Sequence, residues 1–197
     1  MNKFKFLKIY VIINMIHHYQ EGIMYKLNGV MYSAEEIKAK VVELAKQIEK
    51  DYEGEELLVV GILKGASVFC ADLIREINLD VNMDFMCVSS YGTSTASSGS
   101  VKIIKDLDVD IEGKNVLIVE DIIDSGLTLS SLVEALKTRK PKSLKLCTLL
   151  DKPERRTSNI DVDYVGFVIE DKFIVGYGID YAEKYRNLPY IGIVEDI

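Results

Sequence analysis

Three carboxylates and a short hydroxyl-bearing turn follow one apolar run near the middle of the sequence. The run at residues 116–119 is typical of a buried strand, and we expect it to stop at the adjacent acids Glu120 and Asp121. Asp124 and a Ser-Gly-Leu-Thr turn at residues 125–128 come next, before a helical pattern of apolar residues. The amides and hydroxyls of such a turn, with the positive end of a helix, suit a phosphate. The carboxylates suit sugar hydroxyls or a magnesium-bound diol, so the stretch indicates a sugar-phosphate site.

Lys64 and Gly65 form a second candidate anion site. They stand where the apolar run at residues 57–63 ends and a helical pattern at residues 66–77 begins. Backbone amides at the start of a helix, with a lysine beside them, attract an anion. Lys-Gly after a strand is common, so this pair indicates a phosphate only in combination with the turn at residues 125–128.

Two further residues have the chemistry to recognise a nitrogen heterocycle. Lys152 follows an apolar run at residues 144–150, and its ammonium group can donate a hydrogen bond to a carbonyl oxygen. Phe173 opens a short apolar segment, and an aromatic ring in a site can stack on a base. The alternatives are a surface lysine before a turn and a core aromatic in a strand.

Strand-like and helix-like segments alternate along the chain and must position these residues. Ser33 and Glu36 have the spacing of a capping box at the start of a helix. Further strands are predicted at residues 85–89, 101–104, 162–169 and 173–177. The alternation predicts an α/β fold with a parallel sheet and helices on both faces. Right-handed crossovers place the carboxyl ends of the strands on one edge, where ligands of such sheets bind.

Composition and charge limit the class of protein. With 197 residues, 48% of them hydrophobic and 28% charged, the chain fits one globular domain. A net charge of −7 argues against a nucleic-acid partner bound through its phosphates, although magnesium and local lysines can still hold a small anion. Cys70, Cys87 and Cys147 form no CxxC motif or metal cluster, and we expect core thiols in a reducing cytoplasm.

The run VLIVEDIIDSGLT at residues 116–128 resembles the phosphoribosyl-pyrophosphate (PRPP) signature of the type I phosphoribosyltransferases. That signature has four apolar residues, two acids, two apolar residues and D-S/T-G-x-T. The segments LKGA, SSYG, DKP and DKFIVGYGIDY are similar, in the same order, to those of bacterial hypoxanthine-guanine phosphoribosyltransferases. The resemblance covers residues 25–197. It implies transfer of a 5-phosphoribosyl group from PRPP to N9 of hypoxanthine or guanine, which gives IMP or GMP and pyrophosphate in purine salvage.

The resemblance also implies roles for individual residues. The implied catalytic residues are Asp124, which would accept the purine N7 proton, and Ser90 and Tyr91 in a closing loop. The residues implied for PRPP and its phosphates are Lys64, Gly65, Glu120, Asp121, Asp124, Ser125, Gly126, Leu127, Thr128 and Arg186. Those implied for the purine are Lys152, Phe173, Ile174 and Asp180. Magnesium is the implied cofactor, with Asp180, Glu120 and Asp121 as the residues that would hold it.

The family fold that the resemblance implies is a mostly parallel twisted sheet flanked by helices, with a small hood. A mobile catalytic loop would correspond to the polar stretch at residues 91–100, for which a plain surface hairpin is the alternative. The family often has a cis peptide bond before the lysine, so we expect one between Leu63 and Lys64. The family also implies a cytoplasmic homodimer or homotetramer with no nucleic-acid or membrane partner.

Residues 1–23 lie outside the family pattern, and we interpret them as an extension before a single domain at residues 24–197. Their apolar stretch is too short to cross a bilayer, and His17 and His18 follow it instead of a small-residue cleavage site. The codons for residues 20–22 can form a purine-rich ribosome-binding stretch, so we expect Met24 to be the natural start. The alternative is a genuine, variable N-terminal arm.

Three other functions stay open on the sequence alone. A xanthine- or pyrimidine-specific transferase would share the fold, but DKFIVGYGID favours purines and no extra donor for a 2-oxo group stands out. A regulator that binds PRPP and a nucleic acid would need a basic face. An inactive interaction protein would be expected to have lost some of the implied site residues. Ile174 leaves the preference between hypoxanthine and guanine open.

Overall fold

The computed structural model describes residues 27–90 and 101–194. The segment with His17, His18 and Met24, and the polar loop that begins at Tyr91, lie outside the described residues. Ser90 closes a described strand, but its side chain is not among the described ones. What the sequence predicts for the N-terminal extension and the closing loop therefore stays a prediction.

Strands and helices alternate through the described residues as the sequence predicts. None of the helices there is long and apolar enough to cross a membrane. The elements are β1 Leu27–Tyr32, α1 Ala34–Asp51, β2 Leu57–Leu63, α2 Ser67–Glu76, β3 Val81–Ser90, β4 Val101–Lys105, β5 Asn115–Ile123, α3 Leu127–Lys137, β6 Ser143–Asp151, a 3₁₀ helix Pro153–Arg155, β7 Tyr164–Val168, β8 Ile174–Val175 and β9 Ile191–Val194.

A central sheet carries six strands in the order β4-β3-β2-β5-β6-β7. The pairs from β3 to β7 are parallel, and β4 alone runs antiparallel, at the edge beside β3. The mostly parallel sheet expected from the sequence is confirmed. Because β2, β5 and β6 are adjacent and parallel, their carboxyl ends meet at one edge of the sheet.

The two faces of this sheet bury separate apolar clusters. On one face, α1 and α2 pack over Val59, Leu117 and other alternate residues of the central strands. On the other face, α3 packs over Val60 and Ile118. Consecutive strand residues point to opposite faces, so a strand covered on both sides is apolar throughout. This explains why the sequences of β2 and β5 have continuous apolar runs.

α1 begins where the sequence predicts. The Ser33 hydroxyl accepts a hydrogen bond from the Glu36 amide at 3.2 Å, and the Glu36 carboxylate accepts one from the Ser33 amide at 2.8 Å. These two bonds complete the capping box. The helix buries one apolar face, which consists of Ile37, Val41, Leu44, Ala45 and Ile48.

β5 runs further than its apolar residues suggest. It continues through Glu120 and Asp121 to Ile123, because its pairing with β6 continues as far as Ile123 opposite Asp151. The prediction that the strand stops at the two acids is wrong, since hydrogen bonding to a neighbouring strand, rather than side-chain polarity, sets its end. The acidic pair is therefore held by the sheet and not by a loop.

A second, three-stranded antiparallel sheet has the order β1-β9-β8. It pairs the first described strand with the last one, and β8 with β9. This sheet is the small hood that the family resemblance implies. It carries Ile174 in β8, so one of the residues predicted to meet the purine belongs to the hood, whereas Lys152 follows β6 of the central sheet.

The three cysteines are free thiols. Cys70 and Cys147 are buried, and burial raises the pKa of the Cys70 thiol to about 12 and raises the pKa of Cys147 as well. Cys87 is only half-buried. The expectation of core thiols is therefore confirmed for two of the three.

Candidate active site

The turn between β5 and α3 has the geometry of a phosphate site; we call residues 124–128 the phosphate turn. Gly126 has a φ of 74°, in the left-handed region, and α3 begins at the next residue. Gly126 offers no side chain to cap this helix start, and the Leu127 amide donates one long hydrogen bond, at 3.5 Å, to the Ser125 hydroxyl. A helix start with so weak a cap leaves its first amides open to an anion.

A segment after β6 supports the phosphate turn. The Ser125 carbonyl accepts hydrogen bonds from the amides of Thr157 at 3.1 Å and Ser158 at 3.2 Å, and from the Ser158 hydroxyl at 3.0 Å. A Cβ on Gly126 would lie 2.4 Å from that hydroxyl, so the close approach requires glycine. Arg156 also donates from Nε to the Asp124 carbonyl at 3.3 Å. These contacts were not predicted from the sequence. The local sequence offers only the polar run RRTS, at residues 155–158 after a strand, as an indication of them.

Glu120 and Asp121 form an acidic pair at the end of β5. Asp121 is only 8% exposed, and Glu120 is half-buried. Desolvation, followed by repulsion from Asp121, raises the pKa of Glu120 well above its usual value, and desolvation also raises the pKa of Asp121. Two neighbouring carboxylates that resist joint ionisation gain from a cation or from donating hydroxyls. The pair therefore fits the predicted partners, a sugar diol or a magnesium ion.

Lys64 and Gly65 follow β2, the strand next to β5 in the sheet. The peptide bond between Leu63 and Lys64 is cis, as expected from the resemblance. A Cβ on Gly65 would lie 1.7 Å from Oδ2 of Asp121, so the backbone of this loop packs directly against the acidic pair. A Cβ on Gly178 would lie 2.1 Å from the Gly65 carbonyl, which brings the segment at residues 173–186 to the same place.

Arg186 is the second predicted pyrophosphate cation. It donates from Nη1 to the Gly178 carbonyl at 2.8 Å and pairs through Nη2 with Asp180 at 2.7 Å. A carboxylate oxygen of Glu183 lies 2.9 Å from Lys64 Nζ and 3.7 Å from Arg186 Nη2, so one acid links both cations. Among the described residues, Nε of Arg186 is buried without a hydrogen-bond partner. The cluster therefore fits an anion with several oxygens.

Lys152 is bound to the chain segment that carries Phe173. The side chain of Lys152 is 9% exposed and donates to the Lys172 carbonyl at 2.7 Å, next to Phe173 in the chain. The Phe173 ring is 46% exposed and contacts Tyr181 edge-on, with 5.0 Å between ring centroids. Both alternatives from the sequence are wrong, because the lysine is buried and the phenylalanine lies outside the core. A half-exposed ring beside a buried ammonium group suits a planar base with a carbonyl oxygen.

Comparison with known proteins assigns this chain to a family. Residues 31–182 match the family model of the phosphoribosyl transferase domain. The hypoxanthine-guanine phosphoribosyltransferase of Bacillus subtilis (strain 168) is 57% identical over 169 residues, which cover 86% of this chain and 94% of that protein. The chain belongs to the hypoxanthine(-guanine) phosphoribosyltransferase family.

Further proteins named as hypoxanthine or hypoxanthine-guanine phosphoribosyltransferases are similar to this chain to about the same degree. The hypoxanthine phosphoribosyltransferase of Escherichia coli (strain K12) is 56% identical over 84% of this chain and 94% of that protein. A crystal structure of a hypoxanthine-guanine phosphoribosyltransferase from Bacillus anthracis matches with a TM-score of 0.83 and 58% identity, covering 86% of this chain and 99% of that one. The chain is also 55% identical to the bifunctional protein TilS/HprT of Listeria monocytogenes, but it spans only 27% of that protein's length.

The described carboxylates of the site do not form a complete metal site by themselves. Among the described residues, no group of three or more His, Cys, Asp or Glu side chains is placed to hold a metal ion. Asp180 pairs with Arg186 and also accepts a hydrogen bond from the Glu183 amide at 2.8 Å. Mg²⁺ usually takes one or two protein carboxylates and completes its shell with water and substrate phosphates. The donors present therefore fit a magnesium ion that is shared with a phosphorylated substrate.

The structure brings most of the predicted residues of this family member to one edge of the sheet. Lys64 and Gly65 follow β2, the acidic pair lies in β5 with the phosphate turn after it, and Lys152 follows β6. The segment at residues 173–186 closes the group through the contact between Gly178 and Gly65. Tyr91 lies outside the described residues, so its predicted role stays a prediction.

Proposed function

We propose that this chain is a hypoxanthine phosphoribosyltransferase that also accepts guanine. It would transfer the 5-phosphoribosyl group of PRPP to N9 of a 6-oxopurine and release pyrophosphate. The observation that carries the proposal is the meeting of the phosphate turn, the acidic pair and Lys152 at the ends of neighbouring parallel strands. The names and high identity of the relatives support the same reaction.

PRPP would occupy the phosphate turn and the acidic pair. The turn would hold the 5′-phosphate through the amides and hydroxyls of Ser125, Gly126, Leu127 and Thr128. Glu120 and Asp121 would orient the ribose hydroxyls, because their raised pKa values leave them in need of hydrogen-bond donors or a cation. A bound magnesium ion, held by Asp180 with Glu120 and Asp121 nearby, would neutralise part of the pyrophosphate charge.

The departing pyrophosphate would be stabilised by the two cations that Glu183 links. The Lys64 side chain is 64% exposed and, among the described residues, pairs only with the exposed Glu183 carboxylate, whereas Arg186 is held by the Gly178 carbonyl and Asp180. Positive charge placed before the reaction at the position where negative charge develops lowers the barrier to departure of the leaving group. The exposed backbone at Gly65 would add its amide to the same anion.

The purine would lie between Phe173 and the phosphate turn. Phe173 would stack on the base, the Ile174 backbone would meet its edge, and Lys152 would donate to the 6-oxo group. Asp124, at the start of the phosphate turn, would accept the proton from N7 as N9 attacks the sugar. Ser90 and Tyr91 would cover the reacting centre and exclude water from the cationic ribosyl transition state.

The proposal also covers the compartment and the oligomeric state of the enzyme. The free, buried thiols Cys70 and Cys147 support a reducing compartment, the cytoplasm. The family resemblance supports a homodimer or homotetramer, which size-exclusion chromatography with light scattering would establish.

The test of the proposed function is nucleotide formation from PRPP and magnesium with hypoxanthine, guanine, xanthine, adenine and uracil compared side by side. Turnover of hypoxanthine, and of guanine, is the expected result. Turnover of xanthine alone would show that the base is xanthine and not hypoxanthine or guanine. PRPP binding without turnover of any base would favour a PRPP-binding regulator over an enzyme.

A further inference from the structure

Arg155 connects two parts of the site that the sequence treats separately. It closes the 3₁₀ helix after β6, and its Nε forms an ion pair with Oδ1 of Asp124 in the phosphate turn, at 2.8 Å. The angle of this pair is not that of a hydrogen bond, so among the described residues Oδ1 of Asp124 is held by charge alone. Its Nη1 donates to Oδ2 of Asp171 at 3.1 Å. The two carboxylates belong to different segments of the chain, so one guanidinium joins the phosphate turn to the segment that leads to Phe173.

Asp171 is shared between Arg155 and Lys152. Its Oδ2 receives the Arg155 guanidinium, while its Oδ1 lies 3.4 Å from Nζ of Lys152. The stronger contact of that ammonium is with the Lys172 carbonyl, at 2.7 Å. The four side chains therefore form a chain of alternating charge, in the order Asp124, Arg155, Asp171 and Lys152, whose charges balance.

The backbone around Arg155 is held by hydrogen bonds, and the two carboxylates hold its side chain, which is 51% exposed. The Arg155 amide donates to the Lys152 carbonyl at 3.1 Å, and the Arg156 amide donates to the Pro153 carbonyl at 3.1 Å. Arg156 is itself held by an ion pair with Asp151 and by its bond to the Asp124 carbonyl. Asp171 in turn has its pKa lowered, chiefly by the hydrogen bond from Arg155.

We propose that Arg155 is a positioning residue that ties the carboxylate of Asp124 to the ammonium group of Lys152, with Asp171 as the shared counter-ion. The proposal rests on the proposed function, in which Asp124 accepts the purine proton and Lys152 holds the 6-oxo group. Arg155 keeps Asp124 in place and draws Asp171 away from an exclusive pair with Lys152. The ammonium group thus stays available to the base. The part of the site that binds the base and the part that binds PRPP keep a fixed position relative to each other.

Removing the guanidinium has two separable consequences. In Arg155→Met, Asp124 loses its ion-pair partner, so kcat for hypoxanthine should fall by about three- to fivefold, the upper part of the range for an exposed ion pair. Asp171 is then left with Lys152 alone and pairs with it more closely, so KM for hypoxanthine should rise by about three- to fivefold while KM for PRPP changes less. Adding Asp171→Asn to Arg155→Met removes the competing anion, and it should restore KM for hypoxanthine but leave kcat low.

The matched control is Arg139→Met, because Arg139 also pairs with an aspartate, Asp106, but in a region away from the proposed site. Its kinetic constants should equal those of the wild type. Arg155→Gln is the second variant if Arg155→Met folds poorly, and thermal unfolding checks every variant. A purely structural role of Arg155 would lower stability without the separation of KM from kcat.

The outcomes distinguish this inference from the proposed function. If the wild type is active and Arg155→Met keeps both constants within twofold, the positioning role is refuted and the proposed function stands. The role is also refuted if Asp171→Asn restores both constants or neither. If the wild type forms no nucleotide from any base, the proposed function fails, and this inference fails with it.

Discussion

A Cβ atom on Gly65 would lie 1.7 Å from Oδ2 of Asp121. The loop after β2 and the acidic pair at the end of β5 therefore touch through a backbone and a carboxylate, with no room for a side chain. A Cβ atom on Gly178 would likewise lie 2.1 Å from the carbonyl oxygen of Gly65. Three segments of the proposed site thus depend on two glycines for their mutual placement.

Gly65→Ala should displace either Asp121 or the loop that carries Lys64. We expect KM for PRPP to rise at least about tenfold and the free energy of unfolding to fall by about 1–3 kcal/mol, the usual cost of overpacking. Steady-state kinetics and urea unfolding measure the two effects. Gly192→Ala is the control, because a Cβ there meets its nearest atom, on Tyr190, at an ordinary 3.4 Å. Unchanged PRPP kinetics in Gly65→Ala would contradict the close contact.

Glu120→Gln should stabilise the ligand-free protein while weakening PRPP binding. The pKa of Glu120 is raised in the folded state by desolvation and by Asp121, so the folded protein binds a proton more tightly than the unfolded chain. The stability that Glu120 contributes is therefore greatest when the pH is below the pKa of this group in the unfolded chain, about 4.3. It is lost as the pH rises through the pKa in the folded protein. The variant avoids this loss.

Thermal unfolding from pH 4 to pH 8 measures the effect of Glu120→Gln. The variant should unfold at a higher temperature than the wild type at pH 8, by about 2–4 °C for each kcal/mol, and the gap should narrow toward pH 4. Glu112→Gln, at an exposed position away from the site, is the matched control. A gap that does not change with pH would show that Glu120 ionises normally in the folded protein.

The carboxylate of Glu183 lies where it competes with pyrophosphate for Lys64 and Arg186. Glu183→Gln removes that competition, so inhibition by pyrophosphate should strengthen and KM for PRPP should fall. We expect about two- to fivefold in each, the range of an exposed ion pair. Product-inhibition kinetics measures both, with Glu170→Gln as the control, since Glu170 pairs with its neighbour Lys172. Weaker pyrophosphate inhibition would show that Glu183 supports the anion site.

Phe173→Ala should raise KM for hypoxanthine and leave KM for PRPP nearly unchanged. Stacking of a base on an aromatic ring contributes about 1–3 kcal/mol, which corresponds to roughly 5- to 150-fold in KM. Initial rates with each substrate varied in turn separate the two constants, and Phe173→Tyr, which keeps a ring, should stay near the wild type. If only KM for PRPP moves, Phe173 does not stack on the purine.

The elements that could be predicted from sequence are those set by neighbouring residues. The capping box at Ser33 and the continuous apolar runs in β2 and β5 gave the helix and the two strands at nearly their observed places. The hood was harder, because β1 and β9 are short and pair with each other across almost the whole chain. The end of β5 was misplaced for the same reason, since its ladder with β6 extends past the acids.

The candidate site divides in the same way. The phosphate turn and Lys64 could be predicted from a fixed local order of residues at the end of a strand, and the contact of Gly65 with Asp121 is consistent with that order. Arg155 and Glu183 could not, because their roles follow from distances between loops that are far apart in sequence. Charged residues in loops are common, and nothing in their own neighbourhood marks these two.

The most direct test of the central claim is to follow IMP and pyrophosphate together, from PRPP, magnesium and hypoxanthine, in the wild type and in Asp124→Asn. We expect one pyrophosphate per IMP from the wild type, and turnover about 10²–10⁴-fold lower in the variant with PRPP binding retained. An unchanged rate in Asp124→Asn would remove its role as proton acceptor. A wild type that binds PRPP but releases neither product would contradict the proposed transfer reaction itself.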